Sequence, residues 1–142
     1  MYSWSIRVVE KSHSDDAMAR RIYAGSDFFA MPSRFEPSGQ GQMIAMRYGT
    51  PPIVRHTGGL ADTVVDVTKQ PGSGTGFVFK DATPDALLAA CDRAFTLRTT
   101  GGMVWDRLID RVMAADFDWS TGPAPRYVEA YRRAVAIRRA TA

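Results

Sequence analysis

This chain of 142 residues has one cysteine, two histidines and no long apolar run. Cys91 has no intrachain partner, which excludes an internal disulfide and argues against an extracellular setting. No apolar stretch approaches the roughly 20 residues that cross a bilayer. The opening MYSWSIRVVEKSHSDD lacks the apolar core of a secretory leader. Its Lys and Arg residues form no block interleaved with aromatics, so the formal charge of +3 suits an anionic ligand without demanding nucleic acid. Internal repeats and low-complexity segments are also missing. What is there is 45% hydrophobic and 23% charged, the balance of one soluble globular domain over residues 1–142, with a cytoplasmic setting expected.

Short apolar runs alternate with helical stretches. WSIRVV (4–9) alternates and is β-branched, DFFAMP (27–32) is nearly continuous, and PPIVR (51–55) and TGFVF (75–79) follow. These predict a partial Rossmann-like parallel sheet of about four strands, with 27–32 covered on both faces. SDDAMARRIYAGS (14–26) reads as a helix with Ser14 as its N-cap and two early acids. GQMIAMRYG (41–49) and GGLADTVVD (58–66) read as the helices between strands. After residue 80 the pattern turns wholly helical. TPDALLAACDRAFTLR opens with threonine, proline and aspartate and aligns Leu87, Leu88, Cys91, Ala94 and Phe95 on one face. A second helix aligns Trp105, Leu108, Ile109, Val112 and Met113, and a third, within 119–142, aligns Tyr127, Val128, Tyr131, Ala134 and Val135. The fold class is therefore α/β with a helical C-terminal end. The strand at 4–9 would be an edge, to be covered by a partner chain, a dimer mate or further protein.

In open α/β sheets, ligands bind outside the carboxyl ends of the strands. Two loops fall there. PSRFEPSGQG follows the strand at 27–32, and RHTGGLADT follows the strand at 51–55. Each carries glycines that open a helix, where free N–H groups favour a phosphate and the missing side chain lets a ligand approach the backbone. Glu36 sits at the mouth of the first loop, where a carboxylate could bind sugar hydroxyls or stabilise positive charge at an anomeric carbon. Turn glycines and a solvated glutamate would give the same spacing, but two such loops on one sheet edge favour a site.

The run SDFFAMPSRFEPSGQGQMIAMRYGTPPIVRHTGGLADTVVD (26–66) closely resembles bacterial glycogen synthases and plant starch synthases. The likeness continues through TGFVFKDATPDALLAACDRAF, MAADFDWS and YVEAYRRA. This resemblance implies a retaining glucosyltransferase that moves glucose from ADP-glucose to an α-1,4-glucan without metal or other cofactor. It implies the GT-B architecture of two Rossmann-like domains, of which this chain would be the C-terminal portion of the nucleotide-sugar-binding domain. The glutamate of the family's E-P-C-G motif maps onto Glu36, the catalytic candidate. The backbone that meets the sugar and diphosphate maps onto Ser38, Gly39, Gln40 and Gly41. The T-G-G-L loop maps onto Thr57, Gly58, Gly59 and Leu60, with Arg34 and His56 as further phosphate or sugar contacts.

The match also has departures. Ser38 replaces the motif cysteine, Gln40-Gly41 replaces Leu-Thr, and Ser14 falls near the tyrosine that meets adenine in the family. WSTGPAPRY places the start of the last helix near Pro125. The acceptor-binding N-terminal domain, with its K-x-G-G-L loop, and the basic pair that binds the diphosphate are expected outside these residues; Arg34 and Arg55 are nearby cations. The alternative function is a non-catalytic nucleotide-sugar-binding or interaction remnant. A sucrose- or trehalose-forming GT-B enzyme would more often carry a second glutamate where this chain has Ile44.

Other residues have plainer readings. His56 could equally be a solvated loop histidine, and His13 a surface one. Cys91 is expected as a buried structural thiol. Trp105, Trp119, Tyr127 and Tyr131 are expected in the core rather than stacked on glucan. Asp62 and Asp66 are expected as cap and surface charges.

Overall fold

The computed structural model describes residues 15–140, so the strand expected at 4–9, with any partner covering it, His13 and Ser14 lie outside the described residues. Strands β1 (Phe29–Met31), β2 (Pro52–Arg55) and β3 (Phe77–Phe79) form one parallel sheet in the order β1-β2-β3. Phe29 pairs with Pro52, and Val54 pairs with Val78. Parallel neighbours need crossovers, and the chain supplies them as α2 (Gly41–Arg47) between β1 and β2 and α3 (Gly58–Thr63) between β2 and β3. The first helix, α1 (Asp16–Gly25), precedes the sheet, and α4 (Pro84–Thr100), α5 (Met103–Ala114) and α6 (Pro123–Ala140) follow it.

The core sits where α4 packs on β3 and β2 and where α5 joins α4 to α2. Met46, Val54, Leu60, Ala94, Leu108 and Val112 are fully buried there. Phe28 lies edge-on to Phe77, Phe95 and Trp105, at centroid distances of 6.1, 5.4 and 5.4 Å. Arg98 lies 5.2 Å over the Trp105 ring and pairs with Asp27 at 3.0 Å, fastening α4 to the start of β1. The Thr50 hydroxyl donates to the Tyr23 carbonyl at 2.6 Å, tying α1 to the entry of β2.

Several expectations are corrected. Asp15, not Ser14, caps α1, its carboxylate accepting from the Met18 N–H at 2.9 Å. A carboxylate one residue nearer the first turn suits the positive helix end. Ala30 of β1 is exposed, so this strand is not covered on both faces. The helix opening at 58 ends at Thr63, because Val64 turns to extended backbone. On α4 and α5 the inward stripes are narrower than the spacing suggested: Ala90 and Ala94 are buried, whereas Leu88, Phe95 and Met113 are exposed. The last helix begins at Pro123, two residues before Pro125, and has no buried residue. Trp105 is in the core, but Trp119, Tyr127 and Tyr131 are 59%, 54% and 69% exposed. Trp119 and Tyr127 pack on each other at a centroid distance of 5.1 Å.

Candidate functional site

Met31 and Arg55 end β1 and β2 at the same sheet edge, and the two glycine loops leave from there. Their backbones touch. The Gly59 N–H donates to the Glu36 carbonyl at 3.1 Å. A Cβ on Gly58 would overlap that same carbonyl, and a Cβ on Gly59 would overlap the Ser38 carbonyl. Gly58 also has φ +43°, a conformation that side chains disfavour. The TGGL glycines are thus required by the closeness of the opposite loop, which joins residues 36–38 to residues 58–59.

Arg55 fixes the first loop from beneath. Its Nε donates to the Ser33 carbonyl at 2.8 Å, one Nη donates to the Arg34 carbonyl, and the other reaches the Lys80 carbonyl at 3.4 Å. This guanidinium is therefore a clamp on three loop carbonyls rather than a free cation. Arg34 is exposed, and so is the His56 side chain, whose backbone N–H is tied to the Phe79 carbonyl at 2.7 Å.

The open donors are distributed unevenly. Thr57, Gly59 and Leu60 N–H groups donate to Arg55, Glu36 and Thr57 carbonyls at 2.9, 3.1 and 3.1 Å. Of the four amides expected to face a ligand on this loop, Gly58 alone has no partner among the described residues. The amides of Ser38, Gly39, Gln40 and Gly41 have none there either, and neither Gln40 nor Thr57 uses its side chain to cap the helix it precedes. The first loop is the richer donor surface, with half-buried Glu36 at its entrance.

Gln42 was not singled out by sequence, and it lies beneath this loop with no exposed surface. Its Nε2 donates to the Gly39 carbonyl and to the Thr63 hydroxyl, both at 3.0 Å. Thr63 donates in turn to the Gly59 carbonyl at 2.6 Å. Gln42 Oε1 is buried without a partner. Leaving such an acceptor unpaired costs about 1–3 kcal/mol. The signal in the sequence was a polar residue on a buried helix stripe, since Gln42, Ala45 and Met46 follow the i, i+3, i+4 spacing.

Asp66 is not the surface charge expected. It is 7% exposed and accepts from the N–H groups of Thr68, Lys69 and Val78 at 2.9, 3.2 and 2.7 Å. Arg93 reaches it from α4 at 3.0 Å. Burial pushes its carboxyl up, but the Val78 N–H, Arg93 and the other donors outweigh burial and hold it below the usual value. Asp62 is exposed. Cys91 is half-buried, with its thiol pushed up by burial and then by Asp92, which disfavours the thiolate. A cavity of about 520 Å³ lies between Val67, Phe77, Leu97 and Val104, away from both glycine loops.

Both loops thus lie at the carboxyl edge of a parallel sheet, where open α/β folds bind their ligands. A family model for glycosyl transferases group 1 matches residues 7–100, and the chain belongs to that family. It is 54% identical over 127 residues to a glycogen synthase of Syntrophotalea carbinolica, covering 89% of this chain and 26% of that protein. A glycogen synthase of Moorella thermoacetica is 52% identical over 126 residues, covering 89% and 26%. Among solved structures, the catalytic domain of starch synthase IV from Arabidopsis thaliana, bound to ADP and acarbose, superposes with a TM-score of 0.80 at 42% identity. That match covers 87% of this chain and 26% of the starch synthase. Sucrose-phosphate synthase from Thermosynechococcus elongatus gives 0.54 at 30% identity, covering 81% and 27%. The chain therefore spans about a quarter of the length of these relatives.

Proposed function

We propose that this chain supplies most of the donor pocket of a retaining glucosyltransferase of glycogen or starch synthase type. In this reading glucose passes from ADP-glucose to the end of an α-1,4-glucan. The observation that carries it is the backbone-to-backbone seating of residues 36–38 against residues 58–59 at one sheet edge. Further support comes from the likeness to a starch synthase domain bound to ADP.

The chemistry follows from where the groups sit. The amides of residues 38–41, with Gly58, offer N–H donors to the sugar and diphosphate oxygens. As the bond from the anomeric carbon to the diphosphate lengthens, negative charge grows on the phosphate side and positive charge on the sugar ring. Fixed N–H dipoles meet the first, and Glu36 meets the second. The Thr57 hydroxyl makes no cap bond and is free to meet a ligand oxygen. No metal is needed for this division of charge. The acceptor glucan is bound by protein beyond these residues, and the setting is the cytoplasm; no helix among the described residues is long and apolar enough to cross a membrane.

The test is a chimaera in which this chain replaces the matching segment of the Syntrophotalea carbinolica glycogen synthase. Labelled glucose from ADP-glucose should enter glycogen, and Glu36→Gln should reduce kcat by roughly 100-fold or more. A folded chimaera that binds ADP-glucose but transfers nothing would favour the non-catalytic reading.

A further inference from the structure

We infer that Gln42 and Thr63 are positioning residues that aim the first glycine loop at its ligand, through a latch running from the Gly39 carbonyl to the Gly59 carbonyl. This rests on the reading of residues 36–41 and 57–60 as the sugar-nucleotide site. The latch has only one consistent assignment of protons. The Thr63 hydroxyl has a single proton, and the Gly59 carbonyl at 2.6 Å takes it. Thr63 must then accept from Gln42, and the Gly39 carbonyl can only accept. Both partners therefore demand the NH₂ end of the amide, and Oε1 is left buried without a hydrogen-bond partner.

A methionine or leucine would fill this fully buried place without an orphaned acceptor. The glutamine is explained by what its NH₂ group holds. A trans peptide sets its C=O and N–H in opposite directions. Drawing the Gly39 carbonyl inward onto Gln42 turns the N–H of Gln40, in the same peptide, outward. Gly39 at φ +72° allows that turn, and a Cβ there would stand 2.7 Å from Gln42 Oε1. Thr63 makes the setting common to both loops, since the same hydroxyl also holds Gly59, whose N–H binds the Glu36 carbonyl. The circuit Glu36–Gly59–Thr63–Gln42–Gly39 closes on the loop where it began.

The test follows amide resonances of the full chain alone and during titration with ADP. Variants are Gln42→Met and Thr63→Val, which keep volume and remove the bonds, and Thr63→Ser, which keeps the hydroxyl. Thr63→Val should shift the Gln40 and Gly41 amides across the interface, and Thr63→Ser should leave them near wild type. The Kd for ADP should rise at least about tenfold in Gln42→Met and Thr63→Val and stay within about twofold in Thr63→Ser. Val112→Ala, a core deletion on α5, should lower the melting temperature while leaving ADP affinity unchanged, which separates aiming from general stability. If Gln42→Met fails to fold, Thr63→Val against Thr63→Ser decides. A folded Thr63→Val chain with unmoved Gln40 resonance and unchanged ADP affinity overturns the latch alone. A wild-type chain that ignores ADP overturns the donor-site reading, and the aiming role falls with it.

Discussion

Asp66 accepts three backbone N–H groups and a guanidinium, so its charge is worth more to the folded chain than to the unfolded one. Its folded pKa lies below the ordinary 3.8. The stability it contributes is therefore complete above that value and is lost as pH falls through the depressed one. Asp66→Asn should lower stability at neutral pH by about 1–3 kcal/mol and flatten the acid limb of a denaturation series. An unchanged acid limb would assign the acid sensitivity to other carboxylates. Gly59→Ala should cost about 1–3 kcal/mol, because the new methyl meets the Ser38 carbonyl and the two loops must part. Chemical denaturation of the variant measures it. The place of Glu36 and the glycines at the sheet edge could be read from sequence, because a motif and its position after a strand sufficed. Gln42 and Asp66 could not, since a polar residue's meaning depends on partners 21 and 27 residues away.

At the scale of elements, α5 and α6 contrast. Both show an apolar stripe, yet α5 buries Trp105, Leu108 and Val112, and α6 buries nothing. Leu108→Ala should cost about 2–5 kcal/mol, as expected for a fully buried leucine. Tyr131→Ser on α6 should stay within about 0.5 kcal/mol, checked by thermal melting of this chain. Helical periodicity told where each stripe runs but not what covers it. The strands at 27–32, 51–55 and 75–79 were legible from apolar runs bounded by turn residues, and each matches a strand of the sheet. The exposure of Ala30 was not, because it depends on which elements lie over β1. The early end of α3 was hidden for a similar reason. Val64 and Val65 continue the apolar pattern, while Val65 N–H turns instead to the Thr75 hydroxyl at 3.1 Å.

For the whole molecule, this chain covers about a quarter of the relatives it matches, so in the proposed reading an opposing domain outside these residues brings the acceptor to the donor. Transfer by the chimaera should be unchanged in EDTA, because N–H donors rather than a cation would meet the diphosphate; loss of activity restored by magnesium would reject that division of labour. Titrating isotope-labelled chain with ADP-glucose, beside Glu36→Ala as control, tests the donor pocket itself. Amide shifts confined to residues 36–41 and 57–60, weakened in Glu36→Ala, are the expected result. A folded chain whose resonances in both loops stay fixed at millimolar ADP-glucose would contradict the assignment of the donor pocket to these loops.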